Sequence, residues 1–524
     1  MSDSQQADHD WRPSANPWAI AITVTMAAFM EVLDTTIVNV ALPHIAGSLS
    51  VSYDEATWAL TSYLVANSIV LPISAFFGRV LGRKRYFVIC ILAFTACSFL
   101  CGIATNLSQL IVFRVAQGFF GGGLQPNQQS IILDTFPASQ RGRAFSLTAL
   151  ATVVAPVLGP TLGGLITDSF SWRWVFYINV PVGLLTAFGV MTLVQDPPWV
   201  KKMKISIDYI GISLITITFA CFQIMLDRGE DDDWFSSPVI RTFAIFAAVG
   251  AAGAVGWLLY AAKPVVDLRV LKDRNFALGC VAIGVFAVVL YGSAVLVPQL
   301  AQQHLGYTAT LSGLVLSPGA LVIIFLIPFV SLLMSRVQTR YLLCTGFVLM
   351  GCGLLYSRDL APNISFPHLV MLRAAQAAPL AFIFVPASVL AYQSVPQKLQ
   401  GDAAALFTMF RNVAGSIGIS LSTAIITSRT QVHMAYLSDH LSRANAYLNN
   451  TLSQLTSAIR NFSFATGDTA QVALGQTYQT LIAQAGFLAY IDVFFYCAVL
   501  AFLYAPFTLL FSPIKKAGGA PGGH

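Results

Sequence analysis

Charged residues are scarce in this sequence. Only 10% of its 524 residues are charged, whereas 56% are hydrophobic, and the mean hydropathy is +0.71. A soluble domain usually carries about 25% charged residues, so this chain has too few to cover a water-facing surface of normal size. The shortage of charge excludes an ordinary soluble globular protein.

Clustered metal ligands and nucleotide motifs are also missing. All eight cysteines fall within hydrophobic runs and the seven histidines are scattered singly, so the pattern predicts neither a disulfide framework nor a metal site. The GxxxxGK[ST] pattern of an ATP site is absent,. No exposed domain carries the basic patch that nucleic-acid binding requires. We therefore expect no cofactor, no metal and no nucleic-acid partner.

Long hydrophobic runs fill most of the chain. Each is about 20 residues, enough to cross a hydrocarbon core of roughly 30 Å. The strands of a membrane β-barrel would instead alternate apolar and polar residues over about 10 positions. We therefore predict an all-α polytopic membrane protein. Its fourteen predicted spans are residues 18–42, 56–78, 86–105, 108–132, 144–167, 173–194, 206–226, 238–260, 275–299, 311–334, 340–357, 367–392, 403–428 and 487–511.

The distribution of Lys and Arg predicts the orientation, because cytoplasmic loops carry the excess of cations. With a cytoplasmic N-terminus, the inner loops include GRVLGRKR (78–85) and KKMK (201–204), and the outer loops are poor in cations. One outer loop, DRGEDDDW (227–234), is acidic. An even number of spans then places both termini in the cytoplasm. The net charge of +6 reflects this topology.

A weak internal repeat relates the two ends of the chain. RVAQG begins at Arg114 and RAAQA begins at Arg373, 259 residues later, and QRGRA (140–144) matches LQGDA (399–403) at the same offset. A parallel duplication of six-helix halves is typical of transporters that rock around a central site. The predicted organisation is a cytoplasmic segment (1–17), an N-terminal six-helix bundle (18–194), a linker with two extra helices (195–262), a C-terminal six-helix bundle (263–511, including an outer loop, 429–485) and a disordered cytoplasmic tail (512–524).

Several motifs in order make the chain resemble a known family. They are LDTTIVNVALP (33–43), RVAQGFFGGG (114–123), APVLGPTLGG (155–164), WRWVFYINVPVG (172–183) and FRNVAGSIGIS (410–420). In these segments the chain resembles the major facilitator superfamily, and within it the fourteen-span drug:proton antiporters of the EmrB/QacA type. The resemblance covers residues 17–511. It implies the superfamily fold with two inserted helices, and location in the bacterial inner (plasma) membrane.

Two carboxylates lie in the first span. Glu31 and Asp34 are three residues apart and so share one helix face,. Burying an ionised carboxylate in the middle of a bilayer costs on the order of 2.5–3.5 kcal/mol on insertion scales. Loss of water and a neighbouring negative charge both favour the protonated form of a carboxyl group. Because intramembrane acids usually mark ion paths, we predict proton coupling at this pair.

Arg114 in the fourth span is the predicted partner. At a rise of 1.5 Å per residue, Asp34 lies about 13 Å and Arg114 about 9 Å below the outer boundary. We expect Arg114 and Asp34 to belong to one polar network, and Glu31 to face the central cavity as the more freely titrating acid. The alternative is a static ion pair that only orients spans 1 and 4, since structural pairs also perturb ionisation.

A lipophilic cargo requires a cavity wall that combines apolar, aromatic and a few polar side chains. Each candidate has the plainer alternative of packing within its own half or against lipid, and span 9 has no acid to match the first span. The candidate cavity residues are Tyr63, Asn67, Gln117, Gln128, Tyr291, Arg373, Gln376, Phe384, Phe407, Arg411 and Asp492.

Prolines and glycines in the fifth span predict a bent helix that packs closely at the interface between the halves. The alternative is a packing motif without a gating role. In the loop after span 2 the superfamily usually has an Asp before GRK, where this chain has Arg79. The gating ion pair attributed to that Asp therefore lacks its acid, and these cations could serve topology alone. The candidate gating residues are Pro156, Gly159, Pro160, Gly163, Gly164, Gly82 and Arg83.

The predicted function is export of small amphiphilic compounds (multidrug efflux) by a proton-coupled antiporter that alternates its access. It is not an enzyme, and the proton gradient is its energy source. The outer segment 429–485 contains an amphipathic helix from Leu441 to Phe462,, which either lies on the membrane or docks a protein. The family resemblance implies a periplasmic adaptor and an outer-membrane channel as partners. The rival functions are export of a metabolite such as a siderophore or fatty acid, a membrane enzyme acting on lipid, and a non-transporting sensor.

Overall fold

The structure, a computed structural model, describes residues 13–198, 207–439, 446–462 and 469–513. All regular elements in these ranges are helices. A chain in lipid satisfies its backbone N–H and C=O groups within each segment, which favours helices. The basic segment 201–204, residues 1–12 and most of the predicted disordered tail lie outside the described residues.

Nine helices form the N-terminal half, which precedes the inserted pair. We call the side on which the first helix begins proximal, and the side on which it ends distal. These helices are α1 (Pro17–Leu49), α2 (Tyr53–Leu81), α3 (Arg83–Ile103), α4 (Leu107–Gly121), α5 (Leu124–Thr135), α6 (Arg141–Ala149), α7 (Ala155–Ser169), α8 (Trp174–Tyr177) and α9 (Asn179–Leu193). A π-helical turn, Leu150–Val154, joins α6 to α7.

Ten further helices complete the described chain, two in the inserted pair and eight in the C-terminal half. The inserted helices are α10 (Tyr209–Arg228) and α11 (Pro238–Tyr260). The C-terminal half contains α12 (Arg274–Gln303), α13 (Ala309–Arg336), α14 (Thr339–Leu355), α15 (Phe366–Ala377), α16 (Leu380–Tyr392), α17 (Gln400–Asp439), α18 (Ala446–Phe462) and α19 (Thr469–Tyr504). Short 3₁₀ turns precede or follow several of them.

The number of membrane spans agrees with the sequence to within one or two. Twelve helices of the described chain are long and apolar enough to cross a membrane, and thirteen if the bent pair Arg141–Val154 and Leu158–Ser169 is one span. Helices α4 and α5 have 15 and 12 residues, and each is too short alone,. Together they cover the predicted fourth span. Fourteen spans are compatible with this architecture, and the number stays a prediction.

The break between α4 and α5 occurs within a run of glycines. Gly122 donates its backbone N–H to Gly118, and Gly123 donates to Phe120, so the chain turns without losing all of its helical hydrogen bonds. A Cβ on Gly118 would collide with the backbone of Tyr63, so α4 can approach α2 closely only because this position is glycine. The C-terminal half has a comparable break between α15 and α16, at residues 378–379.

The predicted bend in the fifth span is present. The segment Arg141–Val154, which ends in the π-helical turn, and the segment Leu158–Ser169 differ in direction by 48°. Pro156 and Pro160 lack the N–H that would continue the helical ladder, which is a common cause of a kink. A Cβ on Gly159 would overlap Thr36, and a Cβ on Gly163 would lie 3.1 Å from the carbonyl of Ile37. The glycines therefore let α7 lie close against α1.

The inserted pair lies at the periphery. Helices α10 and α11 pack against each other, and α10 also contacts α2 and α17. In the most apolar 18-residue stretch of each helix, only 28% of α10 and 22% of α11 is buried in the protein. Most of their large apolar side chains therefore face the surroundings, as expected of helices bordered by lipid.

Two C-terminal helices are longer than predicted. Helix α17 continues past residue 428 to Asp439, and α19 begins at Thr469, well before the predicted residue 487. Hydropathy marks where a helix leaves the membrane, and a polar extension can remain helical beyond that point. The predicted outer amphipathic helix is present as α18, which packs on α19. The predicted positions Leu441 and Ala444 lie outside the described residues.

Candidate functional site

A central cavity of about 530 Å³ lies between the two halves. It extends from Glu31, near the middle of α1, to His44 and Gln303 at the distal ends of α1 and α12. Glu31 is the only carboxylate among its lining residues in the described chain. The other polar lining residues are Asn39, Asn67, Gln125, Gln299, Gln302, Asn412, Ser68, Ser416, Thr35, Thr36, Thr423, Tyr53, Tyr63 and Tyr291.

Neutral donors surround the Glu31 carboxylate. Asn67 Nδ2 donates to its Oε1 at 3.0 Å and the Tyr63 hydroxyl donates at 3.4 Å, while Gln125 Nε2 donates to Oε2. Glu31 is only 3% exposed. The amide oxygen of Gln125 is buried and has no hydrogen-bond partner among the described residues, so after a flip of the amide it can accept a hydrogen bond from protonated Glu31. The site can satisfy both the ionised and the protonated acid.

Asp34 and Arg114 belong to one polar network, as predicted, and within it they form an ion pair. Arg114 Nη1 lies 2.6 Å from Asp34 Oδ2, and neither side chain is exposed. Asp34 Oδ1 also accepts from Gln117 Nε2 at 3.0 Å and from Asn179 Nδ2 at 2.7 Å. Arg114 Nε donates to the backbone oxygen of Ala59 at 3.0 Å. Asp34 is therefore held by a cation and two amides, whereas Glu31 faces the cavity without a directly paired cation.

Tyr63 connects the two acids. Its hydroxyl bonds Glu31, and its ring lies under the Arg114 guanidinium with 4.1 Å between the guanidinium carbon and the ring centroid. A cation held over an aromatic face is attracted by the ring quadrupole. A displacement of the Glu31 side chain can therefore reach the Arg114–Asp34 pair through a single aromatic ring.

Arg373 in the C-terminal half is fully buried and has no carboxylate partner in the described residues. Its Nη1 donates to Ser293 Oγ at 2.9 Å and to Gln376 Oε1 at 3.3 Å, while its Nε and Nη2 lack partners. Arg114 makes the same contact three residues along its helix, to Gln117 Oε1, at 2.8 Å. The local geometry of the repeat is thus kept, and the ion pair is not.

The proximal end of the cavity is closed by contacts between the halves. Tyr392 donates to Gln129 Oε1 at 2.8 Å, and Thr408 donates to the same oxygen at 3.4 Å. Arg411 reaches the hydroxyl of Thr152 at 3.4 Å. The structure therefore presents a cavity that is closed proximally and extends distally.

An ion pair of inverted polarity adds to this closure. Arg79, which occupies the position usually held by Asp, lies 2.5 Å from Asp402 across the two halves, and its Nη2 donates to the Val265 carbonyl at 3.0 Å. Arg83 instead pairs with Asp134 within the N-terminal half. Gly82 has a φ of 86°, which favours glycine at this turn,. The cations of this loop therefore make specific contacts in addition to any role in topology.

The predicted cavity residues divide into two groups. Tyr63, Asn67 and Tyr291 line the cavity, as do Pro156 and Pro160 of the gating set. The other predicted cavity residues lie away from the described lining. They are Gln117, Gln128, Arg373, Gln376, Phe384, Phe407, Arg411 and Asp492.

The displaced residues have structural partners. Gln128 donates to Thr148 at 2.8 Å, and Phe384 and Phe407 are buried among other aromatic rings. Arg411 donates to Asn412 Oδ1 in its own helix at 3.3 Å and to the Thr152 hydroxyl of the opposite half at 3.4 Å. Asp492 accepts from Arg429 Nε at 2.6 Å and from His433 at 2.7 Å, between α17 and α19. A helix has several faces, and composition alone does not tell which one meets the cavity.

The roles of several residues of the site were not predicted from the sequence. Gln125 lies one turn before the predicted Gln128, within the polar run QPNQQS, and that run was the available signal. Asn179 lies inside the quoted sixth-span motif but received no role. Asp402 lies 259 residues after Arg143, so the repeat has an acid in one half where it has a cation in the other. This reversal of charge was the available signal that Asp402 pairs with a cation, which is Arg79.

Comparisons with known proteins agree with this architecture. The family profile described as Major Facilitator Superfamily matches residues 24–419. The chain is 33% identical over 505 residues to "Multidrug export protein EmrB" of Escherichia coli (strain K12), covering 96% of this chain and 97% of the relative. It is 35% identical over 435 residues to the protein of that name in Haemophilus influenzae, covering 81% and 84%. "Fatty acid resistance protein FarB" of Neisseria gonorrhoeae is 32% identical, covering 96% and 97%.

A solved structure has the same fold. The bacterial homologue of the human lysosomal transporter Spinster, in an inward-facing and unoccupied conformation, aligns with a TM-score of 0.54 at 16% identity, covering 94% of this chain and 98% of that one. The family match, the relatives and the helical architecture agree with one another. The chain belongs to the Major Facilitator Superfamily and, by similarity, to its EmrB-type members, so it is a membrane transporter and not an enzyme.

Proposed function

We propose that this transporter is a proton-coupled antiporter that exports small amphiphilic compounds, as multidrug efflux proteins do. The observation that carries the proposal is the carboxylate of Glu31 at the deep end of a cavity shared by both halves, which no other acid of the described residues lines. Two similar relatives are named multidrug export proteins. The energy source is the proton gradient, with no cofactor.

The cavity lining supports an amphiphilic cargo. Its walls combine side chains such as Val32, Leu64 and Ile419 with amide, hydroxyl and phenol groups. Mostly apolar pockets with a few placed polar groups are the usual form of small-molecule sites. Apolar walls bind by burying surface, which tolerates varied shapes, and the amide groups satisfy whatever polar atoms the cargo carries. Glu31 adds a negative charge that favours neutral or cationic compounds over anions.

The coupling step is competition at Glu31. The ionised acid accepts from Asn67, Tyr63 and Gln125, and it attracts a cationic or donor group of the cargo. A proton arriving from the distal side neutralises Glu31 and removes that attraction, so the cargo leaves. A membrane potential contributes about 2.3 kcal/mol per charge per 100 mV, which is enough to drive such an exchange.

In this scheme the Asp34–Arg114 pair serves the coupling by position. A buried ion pair that loses one member leaves an uncompensated charge, which is costly. Tyr63 contacts both Glu31 and Arg114, so a displacement of the Glu31 side chain is transmitted through Tyr63 to Arg114.

Alternating access follows from opening the proximal closure. In the present state the Arg79–Asp402 pair and the Gln129 contacts hold the proximal ends of the halves together. Rocking would separate them and expose Glu31 to the other side. The π-helical turn and prolines before and within α7 supply a bend at this interface. The residues proposed to take part in this gate are Pro156, Gly159, Pro160, Gly163, Gly164, Gly82 and Arg83.

The proposed organisation is two six-helix units, 18–194 and 263–511, with an inserted linker, 195–262. It is supported by a hydrogen bond that recurs at the repeat offset. Arg114 donates to Gln117 Oε1 at 2.8 Å, and Arg373, 259 residues later, donates to Gln376 Oε1 at 3.3 Å. Both termini would be cytoplasmic, in a bacterial inner membrane, so the distal side is the outside.

A partner is proposed for the distal helices. Helices α17 and α19 extend beyond the predicted spans, and α18 packs beside α19. This distal unit provides a surface on which a periplasmic adaptor would dock, leading to an outer-membrane channel. Export of one metabolite, such as a fatty acid, is the second candidate, favoured by the similarity to FarB.

A transport assay tests the main proposal. Purified protein in proteoliposomes should accumulate or expel a fluorescent lipophilic cation only when a pH gradient is imposed, and adding the cation should move protons in the opposite direction. A panel of dyes and fatty acids, applied to cells lacking their own efflux pumps, separates the two cargo classes. Cargo movement without countermovement of protons would contradict the antiport mechanism.

A further inference from the structure

The inserted helix α10 has no role in the mechanism above, yet one of its side chains joins the two halves. Gln223 is 2% exposed. Its Oε1 accepts from Ser68 Oγ of α2 at 3.3 Å, and its Nε2 donates to Ser416 Oγ of α17 at 3.3 Å. Both serines line the central cavity. Gln223 therefore bridges the N-terminal and C-terminal halves beside the cargo site.

Asp227 holds this bridge in place. It lies one turn after Gln223 on the same helix, and Gln223 Nε2 donates to its Oδ1 at 3.0 Å. The same amide group thus serves Ser416 and the carboxylate together. The backbone oxygen of Leu226 accepts from Ser420 Oγ at 2.8 Å, which fixes this turn of α10 against α17. The amide is orientated by the carboxylate from one side and by the serines from the other.

The second carboxylate oxygen is available for a proton. Asp227 Oδ2 is buried and makes no hydrogen bond of ordinary geometry in the described structure, and the Thr61 hydroxyl of α2 faces the carboxylate. A buried polar atom without a partner is costly, and a proton at Oδ2 would remove the charge without displacing the Gln223 contact at Oδ1. Protonated Oδ2 would be a hydrogen-bond donor, and Oδ1 would be a poorer acceptor than in the ionised acid. The hydrogen bond from Gln223 to Oδ1 would therefore weaken.

The charged surroundings of Asp227 lie on its distal side. Arg228 is next in the chain and pairs with Asp231 at 3.4 Å and Asp232 at 3.9 Å. From α2, Tyr53 and Asp54 lie near Asp231. From α17, the facing residues Ser416 and Ser420 are neutral. This acidic loop, 227–234, was prominent in the sequence and provides a negatively charged approach from the distal solution.

We propose that Asp227 is a second proton-binding site of the transport cycle, and that its charge sets the strength of the Gln223 bridge between the halves. The inference rests on the proposed proton coupling and adds a site outside the first span. A proton from the distal solution binds Oδ2 of Asp227, and no other bond changes. The bridge from Ser68 through Gln223 to Ser416 then loosens, which permits the distal ends of the halves to move.

Matched variants test the site in proteoliposomes with a fluorescent lipophilic cation as cargo. Asp227→Asn should reduce transport driven by a pH gradient about tenfold, equivalent to about 1.4 kcal/mol in the barrier, and flatten its dependence on distal pH. Gradient-independent exchange of the cargo should remain. Asp227→Glu should restore the pH dependence. Asp359→Asn, a change at an exposed acid in a turn of the C-terminal half, should behave as the unchanged protein.

A titration without cargo separates this inference from the proposed function. Between about pH 4 and pH 9, above the ordinary range of Asp, purified Asp227→Asn protein should bind one proton fewer than the unchanged protein. If the unchanged protein shows no gradient-driven transport, the antiport proposal is refuted. The titration would still show whether Asp227 binds a proton. Equal proton counts, or an unchanged pH profile in Asp227→Asn, would overturn the inference.

Discussion

Ser293 occupies in the C-terminal half the place that Asp34 occupies in the N-terminal half. It lies 259 residues after Asp34 and accepts a hydrogen bond from Arg373 at 2.9 Å, as Asp34 accepts one from Arg114 at 2.6 Å. The two halves keep one polar framework, and only the N-terminal half balances its buried arginine with a carboxylate. This asymmetry concentrates the ionisable chemistry of the repeat on one side of the cavity.

The two arginines should therefore differ in their effect on stability. Arg114→Gln leaves Asp34 buried without its cation, and breaking a buried pair costs about 3–5 kcal/mol. Arg373→Gln removes a buried charge that has no acidic partner among the described residues, so we expect a neutral or stabilising effect. Thermal unfolding of the two purified variants in the same detergent gives the comparison. A larger loss for Arg373→Gln would contradict the asymmetry.

Glu31→Gln should uncouple transport from protons. The amide retains the size of the acid and can still contact Asn67 and Gln125, but it cannot take up a proton at the deep end of the cavity. We expect pH-gradient-driven export to be abolished while exchange of cargo across the membrane continues.

A matched control for this change is Glu55→Gln at the start of α2. Glu55 accepts the backbone N–H of Ser52 in a capping box, a role that Gln can also perform, so this variant should transport normally. Export by Glu31→Gln at the unchanged rate would remove the assigned coupling role.

Exchanging the charges of Arg79 and Asp402 should restore the proximal closure, which each single charge reversal should open. Arg79→Asp places two carboxylates together across the halves, and Asp402→Arg places two cations there, so each should open the proximal side. The double variant recreates the pair with the usual polarity of the superfamily. Labelling of a cysteine introduced at Thr35, which lines the cavity, by a membrane-impermeant reagent applied from the proximal side reports its opening.

The control for the charge exchange is Arg143→Ala, because Arg143 is exposed on the same side. In the Arg143→Ala variant, labelling of the introduced cysteine should not change. If the double variant labels as readily as the single ones, the ion pair does not hold the closure.

Stability should fall on mild acidification in part because of His304. This residue follows α12, outside the span, and partial burial lowers the pKa of its imidazole. The unfolded chain, with an ordinary pKa of about 6.5, therefore binds a proton at a higher pH than the folded protein, and stability is lost as the pH falls through that value. The melting temperature of His304→Gln should change less between about pH 7.5 and 5.5. An identical change in both proteins would contradict the assignment.

Removal of the distal segment 440–468 separates transport from assembly. A short Gly-Ser linker joining Asp439 to Thr469 retains α17 and α19 and deletes α18. If an adaptor docks on this unit, transport in proteoliposomes should be preserved while resistance of the expressing cells falls. Equal losses in both assays would indicate that α18 supports folding instead.

The sequence by itself determined the class of the protein and the chemistry of the first span. Low charge and repeated apolar runs leave helices as the structure that satisfies the backbone in lipid. The spacing of Glu31 and Asp34 puts both on one helix face, and the depth estimate correctly predicted the pairing of Asp34 with Arg114. These inferences depend on local periodicity and helix rise, which a sequence carries directly.

Only the tertiary structure decided which faces meet the cavity and which charges meet each other. Gln125 lines the cavity, while Gln128, three residues later on α5, donates to Thr148. Arg79 and Asp402 are 323 residues apart, so their contact depends on how the halves dock. Packing of separate helices, which no local pattern encodes, determines these pairs.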